Sequence, residues 1–230
     1  MPQNRYDDKL REANHLILDL TPANYLMRVE IALEIKNIAQ DKPNIKILEI
    51  GSWEGDLTKY ILKTNPLIKM DCLDISQEML DLSKPLLSSY LDRINFICED
   101  GLKYLETTDI KYDIITSART LHNFTSDDRN KVIEKIYEKL SSGGKFILLD
   151  KIYPDIGEQE KINLLNLQLA RYRYTSKDIE KEITAHEHQD YTDIYRMDEA
   201  YTIKLLKQIW FSNIQIKDRV ERDVVLIAEK

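Results

Sequence analysis

The sequence predicts a doubly wound α/β domain: a mostly parallel seven-stranded sheet, an antiparallel last strand and a helical lid. Three observations predict it. Short apolar runs alternate with helical patterns over the C-terminal two thirds of the chain. A glycine turn closes the first of those runs. The last two runs, Ile214-Gln215-Ile216-Lys217 and Val224-Val225-Leu226-Ile227, are separated by only a few polar residues. That is too short for a parallel crossover, so they form an antiparallel hairpin.

Taken in order, Ile45-Lys46-Ile47-Leu48-Glu49-Ile50 reads as the first strand, ended by Gly51 and followed by a helix from about Asp56 to Lys63. Met70-Asp71-Cys72-Leu73-Asp74-Ile75 reads as the second. Ser76 is placed to cap the next helix, with Met79, Leu80 and Leu82 on its apolar side. Ile94 to Cys98 is the third strand and Tyr112 to Thr116 the fourth. Ser126 is expected to cap a helix to about Leu140, where Val132, Ile133, Ile136 and Leu140 keep helical spacing. Gly143-Gly144 stops it before a fifth strand, Lys145 to Leu149. A helix from about Asp198 to Trp210 precedes the closing hairpin. Two helical regions stand outside the alternation: Asp7 to Ala39, broken at Thr21-Pro22, and Gln159 to about His188. They make residues 1–41 an N-terminal helical lid and residues 155–195 a helical insert able to cover the open sheet edge, within one domain of residues 1–230; the resemblance given below makes that insert part of an acceptor pocket.

Composition excludes several classes. Of 230 residues, 43% are hydrophobic and 32% charged, enough to bury a core and to rule out general disorder. Asp and Glu total 40 against 33 Lys and Arg, a formal charge of -7, which disfavours nucleic-acid binding through bulk charge. Cys72 and Cys98 lie in apolar runs and read as reduced thiols. Met1 to Arg11 is polar, so no signal peptide is expected. No apolar stretch reaches about 18 residues, so no membrane span is expected. A soluble cytoplasmic protein, without membrane partners and without bulk-charge binding of nucleic acid, follows as the expectation; the resemblance given below adds a small-molecule partner. Oligomeric state is left open, a homodimer included.

The sharpest motif is Leu48-Glu49-Ile50-Gly51-Ser52-Trp53-Glu54-Gly55-Asp56. In a doubly wound sheet, ligands bind outside the carboxyl ends of the strands. Gly51 allows the tight turn and Gly55 the close start of the helix. A dinucleotide loop needs a glycine where Trp53 stands, and Asp56 adds charge that opposes a pyrophosphate. The loop suits a nucleoside without phosphates. Asp74 ends the second strand, where a carboxylate can accept from both ribose hydroxyls. Asp100 ends the third, where an acid can bond an adenine amino group. Each of these also fits a plain turn or cap.

These segments resemble those of the class I S-adenosylmethionine-dependent methyltransferases over about residues 44–230. E-I-G-S-W-E-G resembles the glycine loop, L-D-I-S-Q-E-M-L the ribose segment, C-E-D-G the adenine segment, S-A-R-T-L-H-N-F the strand-four motif, and L-S-S-G-G-K-F-I-L-L the turn before strand five. The resemblance implies a Rossmann-like methyltransferase fold with S-adenosyl-L-methionine as cofactor. It places Glu49, Gly51, Ser52 and Gly55 at the methionine portion, Asp74, Ile75 and Met79 at the ribose, and Asp100 and Gly101 at adenine. Ser117, Arg119 and His122 fall near the sulfonium. For Met79, simple helix core is an equal reading.

A sulfonium methyl is already activated, so the protein mainly aligns and dehydrates an in-line displacement. A base helps when the acceptor carries a proton of high pKa. His122, at the fourth strand end, is the candidate base, with a capping role as the alternative. His186 is a second catalytic candidate. Tyr25, Tyr172 and His188 are candidates for binding the acceptor, and Tyr174 for a lesser share in it. His15 reads as structural or surface. No carboxylate cluster accompanies His186-x-His188, so no metal is expected.

Three other functions were weighed. Pro22, the K-I-Y-E-K-L-S-S-G-G segment and the long insert look like the carboxy-S-adenosylmethionine synthases of tRNA modification. Those enzymes place an arginine on the helix before the last hairpin, where this chain reads Tyr201-Thr202-Ile203-Lys204-Leu205-Leu206. A nicotinamide oxidoreductase is opposed by Trp53 and the reversed strand. A non-catalytic cofactor-binding scaffold is the third.

Overall fold

The computed structural model describes residues 22–40, 42 and 44–230. The expected first part of the lid, and His15 with it, lies outside these residues.

The chain forms α1 (Pro22–Ala39), β1 (Lys46–Ile50), α2 (Asp56–Thr64), β2 (Lys69–Asp74), α3 (Gln77–Leu86), β3 (Ile94–Cys98), α4 (Gly101–Thr107), β4 (Tyr112–Ala118), α5 (Ser126–Lys139), β5 (Leu140–Lys151), α6 (Glu158–Tyr172), α7 (Lys177–Asp190), α8 (Glu199–Gln208), β6 (Ser212–Val220) and β7 (Asp223–Glu229). The strands make one seven-stranded sheet in the order β3-β2-β1-β4-β5-β7-β6. The first five pair in parallel. β7 runs antiparallel to both β5 and β6. The reversed strand is thus not the edge: the hairpin folds back and inserts β7 between β5 and β6. Its residues Val224 to Ala228 are buried while much of β6 is exposed, which is why the all-apolar run goes inside.

Alternation along the strands splits the core by sheet face. Leu48, Ile115, Phe146, Leu148 and Leu226 join a cluster with Val132, Ile133 and Ile136 of α5 and Leu206 of α8. Ile47, Ile114, Ile147, Leu149 and Val225 join the other, with Leu57 and Ile61 of α2 and Met27, Ile31 and Ile35 of α1. Over its described length α1 is therefore a covering helix of the sheet rather than a flap over its edge. Its apolar residues recur every three or four positions and bury one stripe.

Several boundaries differ from the sequence reading. Thr125, not Ser126, caps α5: its Oγ1 accepts from the Asp128 N–H at 3.3 Å. Ser76 caps α3 as expected. β5 begins at Leu140, ahead of the glycine pair, because Gly143 takes a φ of +71° within the strand. The insert is two helices. They break at Arg173–Ser176, and Tyr172 and Ile183 share a small core of their own.

Candidate active site

The carboxyl ends of β1, β2 and β4 meet at the glycine loop. Gly51 has a φ of +73°, and a Cβ there would lie 2.1 Å from Thr120 Oγ1, so only glycine fits between β1 and the segment after β4. The Gly51 and Ser52 N–H groups both donate to the Leu73 carbonyl, tying the loop to β2. Gly55 (φ +86°) opens α2 against Leu87 and Ser83, the close packing expected of it. Trp53 takes a glycine-like φ of 50° where the dinucleotide motif would have its middle glycine. Arg119, at the end of β4, has a φ of 56°. Two non-glycine residues in the left-handed region at adjacent strand ends mark a strained rim, of the kind that collects at functional sites.

The carboxylates sit as follows. Glu49 is buried and accepts from Thr58 Oγ1 at 2.5 Å. Burial pushes its pKa up to about 8 against the pull of that hydrogen bond and Arg28, so it is largely protonated at neutral pH. Asp74 is nearly buried; one oxygen accepts from the Trp53 N–H and the other from the Ser76 N–H, both at 2.9 Å. Burial raises its pKa against those bonds. Each oxygen keeps a second lone pair for a hydroxyl. Asp100 caps α4, its side chain accepting from the Lys103 N–H at 3.0 Å. A Cβ on Gly101 would meet Ile50 at an ordinary 3.4 Å. Ile75 is exposed, and Met79 is packed in α3.

Ser117 is fully buried, and its Oγ donates to the Ile50 carbonyl at 2.9 Å. It ties β4 to β1, which spends the hydroxyl that the sequence reading put near the sulfonium. Arg119 is likewise spent on Asp223, at 2.7 Å. Burial works against its charge, but Asp223 and Glu187 outweigh it and raise its pKa.

Beyond β4 lies a second group. His122, in the short turn Leu121–Asn123, is buried, with Nδ1 2.5 Å from Asp150 Oδ1 at the end of β5. Asp150 also accepts from the N–H groups of Leu121, His122 and Lys151. Burial would push the Asp150 pKa up, but His122 and these bonds hold it below the usual carboxylate range. The Nε2 of His122 has no hydrogen-bond partner among the described residues, and Asp190 Oδ2 lies 3.8 Å away. Burial lowers the His122 pKa, so the ring is neutral at neutral pH. His186 places Nδ1 3.3 Å from Asp190, and its ring stands edge-on to that of His122 with centroids 6.4 Å apart. The two histidines singled out in the sequence, 64 positions apart, thus meet.

Behind them is a buried ionic cluster. Lys151 Nζ donates to Glu187 at 3.1 Å and Asp190 at 2.7 Å. Arg222 donates to Glu187 and, at 3.0 Å, to the Tyr153 hydroxyl. Tyr172 is fully buried here, its hydroxyl against Gln168 and Glu187. It packs α6 onto α7 rather than facing an open pocket. His188 falls on the exposed outer side of α7, two residues past His186, so the helix turns it away from the cluster. Tyr25 is half exposed, edge-on to Tyr60 at 5.4 Å, and Tyr174 is almost fully exposed. The sequence reading missed Asp150, Lys151, Glu187, Arg222 and Arg28. An Asp-Lys pair closing an otherwise apolar strand was the one available signal.

Residues 48–146 match the family model described as a methyltransferase domain. The malonyl-[acyl-carrier protein] O-methyltransferase 1 of Ilyobacter polytropus is 36% identical over 104 residues, 45% of this chain and 37% of that protein. The carboxy-S-adenosyl-L-methionine synthase of Nautilia profundicola is 24% identical over 99% of this chain and 95% of its own length. Of several matching curated relatives the chain spans only 37% to 55% of the length. Among solved structures, the plantazolicin methyltransferase BpumL in complex with SAH superposes with a TM-score of 0.72 at 17% identity, covering 100% of this chain and 93% of that one. That is a likeness of fold.

The fold is similar to that of the class I S-adenosylmethionine-dependent methyltransferases, and residues 48–146 match a methyltransferase domain. The chain is also distantly similar to the carboxy-S-adenosylmethionine synthases. The cofactor of the class is S-adenosyl-L-methionine, and the rim fits it. Asp74 has lone pairs for the ribose, and Ser52 Oγ is a buried polar atom with no partner. The Gly51 backbone is held open by geometry that a side chain would destroy. Among the described residues no cluster of three or more metal-ligating side chains occurs, and no helix is long and apolar enough to cross a membrane.

Proposed function

We propose that the chain transfers a methyl group from S-adenosyl-L-methionine to a small-molecule acceptor bearing a dissociable proton, with His122 as the base. The cofactor supplies a methyl already activated by its sulfonium. Asp74 would bind the ribose, Asp100 and Gly101 the adenine, and Glu49, Gly51 and Ser52 the methionine end. Asp150 holds the Nδ1 proton of His122 and so leaves the Nε2 lone pair to accept one from the acceptor. His186, with Asp190, faces the same space and orients the acceptor. Residues 155–195, with α6 and α7 in them, close that space against water.

The observation carrying this reading is the buried His122, fixed through Nδ1 and without a partner at Nε2. A carboxylate acceptor, already ionised at neutral pH, would need no such dyad. The test is turnover against a panel of phenols, thiols and amines, with a carboxylic acid as the acceptor that needs no base, and with His122→Ala beside the wild type. His122→Ala should lower kcat by about a hundredfold while S-adenosylhomocysteine binding, read by calorimetry, stays unchanged. Because burial lowers the His122 pKa, the base remains neutral into acid. The acid limb of kcat should therefore lie below 6.5, the usual histidine value. Equal turnover by the alanine variant would leave His122 a structural residue. Binding of NAD in place of the sulfonium cofactor would end the reading.

Carboxy-S-adenosylmethionine synthesis is the second reading. The near full-length match to the Nautilia enzyme favours it. Against it, α8 offers Tyr201 to Leu206 where an arginine is needed, and Lys204 there is exposed.

A further inference from the structure

Arg28 is a buried guanidinium with no carboxylate partner among the described residues. It sits one turn into α1, nine-tenths buried, and its hydrogen bonds run only to the backbone carbonyl and the side-chain oxygen of Asn24 on its own helix. The other buried arginines differ. Arg222 is paired with Glu187. Arg129 donates to the carbonyls of Leu121, Phe124, Tyr195 and Arg196. A buried cation left this way is costly unless an anion completes it.

α1 packs beside the helix that the glycine loop opens: Tyr25, three residues before Arg28, stands edge-on to Tyr60 of α2 at 5.4 Å. Glu49, Asp56, Asp223 and Arg119 all act on the charge of Arg28. None of the three acids serves it as a partner: Glu49 is bound to Thr58, Asp223 is taken by Arg119, and Asp56 forms no ion pair with it. Asn24 adds a second observation. Its Oδ1 accepts from Arg28, which leaves its Nδ2 as a donor, fully buried and without a partner among the described residues. Ser52 Oγ, in the loop itself, is a third buried polar atom in want of one. The first turn of α1, where Asn24 lies, also carries the positive end of the helix dipole. Arg28 and Asn24, one helical turn apart and in contact, thus offer a positive charge and an unused amide donor, and no described carboxylate completes them.

We propose that Arg28 and Asn24 form the clamp for the α-carboxylate of the cofactor's amino-acid portion. This rests on the reading that the site binds S-adenosyl-L-methionine. A planar carboxylate suits the guanidinium fork, while the Asn24 amide donates a further bond.

The test is calorimetry with three thioether nucleosides. S-adenosylhomocysteine carries the carboxylate. S-adenosyl-3-thiopropylamine lacks only that group. 5′-Methylthioadenosine lacks the whole amino acid. Wild-type protein should prefer S-adenosylhomocysteine to the decarboxylated amine by about tenfold or more. Arg28→Gln should lower S-adenosylhomocysteine affinity by about tenfold to a hundredfold and leave 5′-methylthioadenosine within about twofold. Arg28→Lys should fall between. Three results overturn the clamp: equal wild-type affinity for the acid and the amine, an Arg28→Gln variant that binds S-adenosylhomocysteine normally, or parallel loss of all three ligands, which makes Arg28 only a brace for α1. The wild-type comparison decides even if the variant does not fold. Failure of wild-type protein to bind any of the three is a different result, and removes the cofactor reading itself.

Discussion

The two halves of the sheet's carboxyl edge are built in different ways. On the nucleoside side, at β1 to β3, the groups are placed by backbone near them in the chain. Asp74 is held by the N–H groups of Trp53 and Ser76, at sequence separations of 21 and 2. Asp100 is held by Lys103, three residues on. On the acceptor side, at β4, β5 and β7, the groups are placed by charge on distant segments. His122 depends on Asp150, 28 residues away, Lys151 on Glu187, 36 away, and Arg119 on Asp223, 104 away. A site for a constant nucleoside can be made from turns that one loop carries with it. On the proposed reading, the acceptor site is assembled from the insert and the end of the chain, so α6 and α7 can change without disturbing the rim.

The largest effect should come from breaking the acceptor side. Glu187→Ala leaves Lys151 and Arg222 buried with one partner gone from each, and removal of one partner from such a pair costs about 3 to 5 kcal/mol. Denaturant unfolding should show that loss. If the halves are built independently, the residual folded protein should bind S-adenosylhomocysteine within about twofold of wild type, since no hydrogen bond at the rim passes through Glu187. A stability unchanged within about 0.5 kcal/mol would mean that water already reaches the cluster and that the burial of Glu187 is nominal.

The same contrast explains what the sequence disclosed. Gly51, Asp74 and Asp100 were legible because strand period, turn chemistry and capping are local rules, and each stands at a strand end that those rules locate. The seven strands and the closing hairpin followed from the same rules. Arg28, Glu187 and Arg222 were not legible, because an arginine in an amphipathic helix and a glutamate among charged residues look like solvated surface. Only the fold brings Glu187 to Lys151. For Ser117 and Arg119 the segment was legible but the side-chain partners were not: they turn to Ile50 and Asp223. His122 and His186 were each found singly, as the histidines nearest a strand end and an insert end. Their meeting could not be foreseen without the packing of α7.

The complementary break is Asp74→Ala. It removes a carboxylate placed for the ribose and should lower cofactor affinity by about 1.5 to 3 kcal/mol. It also frees the Trp53 and Ser76 N–H groups, so a modest fall in stability accompanies it. The acceptor side should not register it: kcat at saturating cofactor should stay near wild type, because the His122–Asp150 contact does not involve β2. A collapse of kcat with cofactor saturating would show that the rim also sets the acceptor geometry, and the division between the halves would be lost.

The smallest effect should sharpen the division inside the nucleoside side itself. Gly51 follows β1 directly and Gly101 opens α4 just past β3, but only Gly51 is demanded by the protein's own packing. A Cβ at Gly101 meets Ile50 at 3.4 Å and Phe124 at 3.6 Å, ordinary contacts, and the residue does not sit at positive φ. Gly101→Ala at the first position of α4 should therefore leave folding intact or stabilise it by at most about 0.5 kcal/mol through the unfolded chain. Any loss of affinity for 5′-methylthioadenosine in that variant then reports contact with the base alone, since the protein has no use of its own for the missing Cβ. A few-fold weakening places adenine against Gly101. Full affinity places it away from the start of α4 and leaves its recognition to Asp100, whose oxygens are already half engaged by the helix they cap.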